Sequence, residues 1–199
     1  MILSADFSSS YLHGFVNVLQ NFDLMALDAV IGRVCAAYRE GRQLFVAGNG
    51  GSAATASHLA ADLGKTVLGK RIDPRTRRFR VHALTDNVPM LTAYGNDVSY
   101  DEIFAEPLRA WADRGDALLV ISASGNSPNV LRTITVARDL GVETIGLLGF
   151  EGGAAAPLLD YAFIVRSVHY GYIEDAHSVV MHMLTDALKP LVAASLPTA

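Results

Sequence analysis

The 199-residue chain is 51% hydrophobic and 18% charged, with a formal net charge of −4 and one cysteine, Cys35. That length fits a single domain with a full core, and the acidity excludes a general nucleic-acid binder. The lone cysteine excludes an intrachain disulfide framework and a cysteine-cluster metal site, no apolar run approaches the roughly 20 residues of a membrane span, and the N-terminus lacks a signal layout, so cytoplasm is expected.

Residues 4–20 read as a helix with Phe7, Tyr11, Phe15, Val18 and Leu19 on one stripe. Asp23 is the expected cap of a second helix carrying Leu27, Val30, Ile31 and Val34, closed by Gly41. Two helices ahead of the first strand exceed what an α/β sheet needs, and with the high apolar content they predict packing on each other or on a second subunit. Residues 43–47 form the first strand, which runs through Gly48-Asn49-Gly50-Gly51-Ser52 into a helix from Ser52 to about Leu63. This turn is not a dinucleotide fingerprint, because G-x-G-x-x-G needs glycine where Ala53 stands, and it is not a G-K-[ST] phosphate loop.

Lys65–Arg80 holds seven Lys/Arg and one acid, the composition of a solvated loop, and Lys65 lies one turn beyond Asp62, where it could reach an anionic substrate. A second strand is expected over Arg78–Leu84, a short helix over Val88–Tyr94 stopped by Gly95-Asn96-Asp97, and one amphipathic helix over Tyr100–Trp111. Ala117–Ile121 is wholly apolar, the pattern of a buried parallel strand. It leads through Ser122-Ala123-Ser124-Gly125-Asn126-Ser127 into a helix with Ser127 as N-cap and Pro128 at its first position. Strands over Val142–Leu148 and Tyr161–Val165 and a helix over about 171–194 complete the order. Strands alternating with helices define a doubly wound, parallel α/β sandwich.

Both small-residue turns present backbone amides, hydroxyls and a helix N-terminus, which is the chemistry of an anion site at the carboxyl edge of a sheet. A sugar phosphate fits that better than a nucleotide. His58 and Asp62, four residues apart, share a helix face, and Glu174, Asp175 and His182 lie near one side of the last helix, whereas His177 points elsewhere. Two histidines and two carboxylates suit a divalent metal such as zinc, acid and base work on a sugar, or plain hydrogen bonding between neighbours on a helix.

The stretches AGNGGSAATASHLAADL, LTDNVPMLTAYGNDVSYDEIF, ISASGNSPNVL and the terminal E-D-A-H-x-x-x-x-H together resemble the sugar isomerase (SIS) domain family, and within it the isomerases of sedoheptulose 7-phosphate. The resemblance covers nearly the whole chain. It implies a five-stranded parallel sheet flanked by helices, a single SIS domain over 1–199 with helices in 1–42 packing in an oligomer, and a homotetramer with sites between subunits. It places phosphate contacts on Ser122, Ser124 and Ser127, glycine-turn contacts on Asn49, Gly51 and Ser52, and a sugar-hydroxyl contact on Asp86. Asp62 falls where the family has a catalytic glutamate, His182 on its catalytic histidine, and His58, Asp62, Glu174 and His182 on the zinc set of some members. Aspartate at 62, glutamate at 174 in place of glutamine, and Ala123 in place of threonine depart from the pattern, and a substrate-contacting aspartate before the last helix has no clear match. The implied activity is aldose–ketose isomerisation of a sugar phosphate through an enediol, with Asp62 as either base or metal ligand. The alternatives are a non-catalytic phosphosugar-binding module and an isomerase of another phosphosugar, such as an octulose phosphate.

Overall fold

Five parallel strands carry the architecture: β1 (Gln43–Gly48), β2 (Arg80–Ala83), β3 (Ala117–Ser122), β4 (Glu143–Gly149) and β5 (Tyr161–Val165), in the order β2-β1-β3-β4-β5. The structure, a computed structural model, describes residues 6–70 and 73–195. Among the described residues seven α-helices accompany the sheet: α1 (Phe7–Gln20), α2 (Leu24–Glu40), α3 (Gly51–Gly64), α4 (Val88–Asp97), α5 (Ala105–Trp111), α6 (Pro128–Leu140) and α7 (Tyr170–Ala194). The expected doubly wound sandwich is therefore present.

Each central strand feeds two cores through its two-residue side-chain period. Leu44 and Val46 of β1 join Leu119 and Ile121 of β3 beneath α2, α3 and α7, where Leu27, Val34, Leu59, Leu63, Val180 and Leu184 are buried. Phe45, Ala47, Leu118 and Val120 point the other way, onto Ile103, Phe104, Leu108, Val130 and Ile134 of the α5–α6 side. Each fully buried side chain of this size contributes about 2 kcal/mol, so the alternation alone fixes strand register firmly.

The local signals work as read at most ends. The Asp23 carboxylate accepts from the Ala26 amide at 3.0 Å, and Gly41 closes α2 at φ 75°. Two segments differ from expectation. The α4 helix continues through Gly95-Asn96-Asp97, capped at its start by Asn87 and closed only where the Val98 and Ser99 amides both reach the Tyr94 carbonyl. The single helix expected over Tyr100–Trp111 is a 3₁₀ turn, Tyr100–Glu102, followed by α5. Pro107 explains the break: it has no amide to give the Ile103 carbonyl, and starting the helix at Ala105 puts it in the first turn, where no donor is needed. Residues 4–5 of the first expected helix and 71–72 of the basic loop lie outside the described residues.

Among the described residues no single helix is long and apolar enough to cross a membrane; α1 and α2 pass such a test only together, and they are bent by 75°. No residue of α1 is buried. It is held by side chains on α7, where the Tyr11 hydroxyl donates to the Asp175 carboxylate at 2.9 Å and its ring meets Tyr172 edge-on at 4.8 Å.

Candidate functional site

The strand order reverses between β1 and β3, since the chain leaves β1 for β2 on one side and later returns to β3 on the other. Turns leaving the carboxyl ends of such a pair diverge and open a crevice, the usual ligand position in this architecture. The two turns singled out in the sequence are these two. With the start of α7 they line a recess of about 160 Å³ that includes Asn49, Ser52, Ser122, Ser124, Ser127, Tyr170 and Glu174.

The serine loop is wired to offer protons. Ser122 Oγ accepts from the Gly125 amide at 3.1 Å, and Ser124 Oγ accepts from the Asn126 amide at 3.2 Å. Each hydroxyl thus uses lone pairs inside the loop and keeps its O–H for a ligand. Ser127 stands at the N-cap of α6 as expected, but its side chain makes no capping bond; Asn129 Oδ1 takes the Val130 amide instead, at 3.0 Å. Gly125 holds φ 61°, the left-handed turn that lets the loop fold back on itself. Among the described residues no lysine or arginine lines the recess, so an anion there would be held by serine hydroxyls, amides and the N-terminal end of α6, that of α3 facing the Glu174 carboxylate.

A second group lies further along α3 and α7, which pack side by side. The ligating atoms of His58, Asp62 and His182 all fall within 4.8 Å of one another. His58 Nε2 is 3.8 Å from Asp62 Oδ2, the two imidazoles meet edge-on at 5.4 Å, and Thr185 Oγ1 donates to Asp62 Oδ2 at 3.4 Å. The Asp62 side chain is 13% exposed and that of His58 54%, so the group has a dry end and an open end. Three donors of this kind suit a divalent cation of the zinc class.

Glu174 is not with them. Its carboxylate lies over Gly51 at the N-terminus of α3, so close that a Cβ there would sit 3.0 Å from Oε1. Eight residues of α7 separate it from His182, a rise of about 12 Å. The four-ligand set is thus divided, with three residues together and Glu174 in the recess, where the helix end favours a negative charge. Lys65 follows the far end of the 14-residue α3, about 20 Å from the recess along the helix axis and one turn beyond Asp62. Asp86 follows β2 on the same edge of the sheet, bonded by the Ser57 hydroxyl, and does not line the recess. Asp175 faces α1 through Tyr11, whose phenol is pushed up by the hydrogen bond it donates to that carboxylate.

His177 is buried under the sheet edge, with Nε2 3.0 Å from the Leu148 carbonyl, and burial lowers its pKa to about 4. A carbonyl only accepts, so the neutral ring carries its proton on Nε2 and donates it there. Leu148 is the β4 partner of Ser122, so this bond fixes α7 relative to the serine loop. Sequence reasoning missed Tyr170 and Asn129. Asn129 stood two residues after Ser127, in the same short motif, but its partner is Asn49, 80 residues away.

Residues 10–149 match the family model of the SIS domain, and the chain belongs to that family. The likeness extends to named enzymes. A phosphoheptose isomerase of Pelobacter propionicus is 38% identical over 175 residues, covering 84% of this chain and 89% of that one. Among solved structures, a phosphoheptose isomerase from Francisella tularensis superposes with a TM-score of 0.82 at 29% identity, covering 95% of this chain and 100% of that one. One from Neisseria gonorrhoeae gives 0.84 at 26% identity, covering 93% and 98%.

Proposed function

We propose that the chain is an aldose–ketose isomerase of a phosphorylated sugar, with sedoheptulose 7-phosphate as substrate and a heptose 7-phosphate as product. One observation supports the reading: a recess of hydroxyls and helix ends opens at the starts of α3 and α7, and the same two helices, which pack side by side, carry the His58–Asp62–His182 group two to three turns further along. The named relatives support the same reaction.

In this reading Ser122, Ser124 and Ser127 donate to the phosphate, with Asn49, Gly51 and Ser52 forming the facing wall. That anchors one end of the sugar and brings its carbonyl end toward α3 and α7. Asp62 moves the proton between C1 and C2, and His182 gives and takes protons at the two oxygens as the enediol forms and collapses. Glu174 and Asp86 orient hydroxyls between these ends. His58, Asp62 and His182 would hold a zinc ion, which when bound polarises the carbonyl. Neither Asp62 nor His182 can be a ligand and a free acid or base through the same atom at once.

One SIS domain over 1–199, homotetramer packing through 1–42 with sites between subunits, and a cytoplasmic location belong to the same proposal. The exposed apolar residues of α1 and the buried, unpaired Cys35 support them.

The test is turnover of sedoheptulose 7-phosphate by purified protein, chelated and then resupplied with Zn²⁺. Aldose formation is expected. Loss on chelation with recovery on zinc supports a metal on His58, Asp62 and His182; turnover undiminished by chelation supports a metal-free reaction with Asp62 as base. No turnover, with thermal stabilisation by the sugar phosphate, replaces the isomerase by a binding module or moves it to a longer sugar such as an octulose phosphate.

A further inference from the structure

The glycine turn and the serine loop leave adjacent strands, and their backbone ladder ends at Gly48 opposite Ile121. Beyond that point, among the described residues, one pair of side chains joins the β1 turn to the start of α6. Asn49 Nδ2 donates to Asn129 Oδ1 at 2.8 Å, and Asn129 Nδ2 donates to Asn49 Oδ1 at 2.9 Å. Asn129 is 1% exposed and is itself fixed, since its Oδ1 also accepts from the Val130 amide at 3.0 Å. That amide can only donate, so it sets which way the Asn129 carboxamide faces, and Asn49 must face it in turn. The Tyr100 hydroxyl donates to Asn49 Oδ1 at 3.4 Å, which fills both lone pairs of that oxygen.

We propose that Asn129 is a positioning residue for the phosphate end of the substrate, acting through Asn49. The reciprocal pair sets the gap between the two walls of the cradle, so that hydroxyls from one wall and amides from the other converge on one anion. Asn49, expected from resemblance to touch substrate, has most of its carboxamide engaged with Asn129 and works chiefly as the other half of this clamp. The inference rests on reading the recess as the phosphate site. A clamp of this kind matters because donors on two walls bind one anion well only while the gap between the walls is held, so that all of them can reach it.

The test compares Asn129→Ala, Asn49→Ala and the double variant in two measurements: KM and kcat for sedoheptulose 7-phosphate, and the dissociation constant of inorganic phosphate from calorimetry. Each single variant is expected to raise KM and the phosphate constant together by about tenfold, with kcat within about threefold. The double variant should be no worse than either single one, because both break the same link. Additive losses in the double, or a lower melting temperature with unchanged KM and phosphate affinity, overturn the clamp. If Asn129→Ala does not fold, Asn129→Ser takes its place with the same expectation. Wild-type protein that binds phosphate without turning over the sugar removes the isomerase reading and leaves this test intact. Turnover with Asn129 variants equal to wild type removes the clamp alone, and wild type that binds no phosphate removes both.

Discussion

At the scale of single residues, the proposed site divides its work between groups that hold and groups that react. Ser124 is wired by the Asn126 amide to donate its hydroxyl outward, so its contribution is to binding an anion that is the same in substrate and transition state. Ser124→Ala should therefore raise KM by about tenfold and leave kcat within a few-fold, the loss of one charge-assisted donor. His182 faces His58 and Asp62 and has no such holding role, so His182→Ala should lower kcat by about a hundredfold or more with little change in KM. Steady-state kinetics of the two variants decide the matter, and the opposite split overturns both roles. These residues were legible because serine, histidine and aspartate carry their chemistry in their identity and sat in short motifs. Glu174 was half legible. Its type and helix face were plain, but its partner at the N-terminus of α3 is 123 positions away in the chain, and spacing along one helix could not choose between that partner and the histidines.

The scale of elements is where the sequence was most reliable and where its misses have physical causes. Strand apolarity and the capping residues located all five strands and placed most helix ends within a residue or two, because those signals act over a single turn. The helix expected over Tyr100–Trp111 failed on one residue, Pro107, whose missing amide outweighs an apolar stripe that runs unbroken past it. His177 shows the converse: its position suggested only that it points away from His182, whereas it fastens α7 to β4 through the Leu148 carbonyl. That fastening has a pH signature. Burial holds the folded pKa at about 4, below the ordinary 6.5, so between those values the unfolded chain binds the proton more readily than the fold does. The stabilisation is complete above about pH 6.5 and is lost as pH falls toward 4. His177→Gln keeps a donor for Leu148 and cannot titrate. Its melting temperature should fall less than that of the wild type between pH 7 and pH 4.5, and equal slopes by thermal denaturation would show that His177 does not carry the effect.

At the scale of the whole molecule, strand order brings two separate motifs to one recess, a pairing that the like chemistry of the two turns suggested but could not locate. Nothing local to Gly48–Ser52 or to Ser122–Ser127 says that their strands are neighbours; the reversal between β1 and β3 does. The same scale explains the apolar surplus. Leu12 is 60% exposed, Val16 46% and Met25 85%, so α1 and the start of α2 carry several large apolar side chains in the open. The open side of the His58 group also needs cover, since proton transfer at a sugar carbon gains from excluding water. Packing of further copies in the proposed homotetramer would meet both needs, so size-exclusion chromatography with light scattering should give four times the chain mass. Leu12→Glu combined with Val16→Glu should shift that mass toward the monomer and reduce turnover by about tenfold or more, although neither residue lines the recess or ligates at the histidines. A wild-type monomer with full turnover, or a dissociated variant as active as the tetramer, would confine the site to one chain and leave the apolar face of α1 without this role.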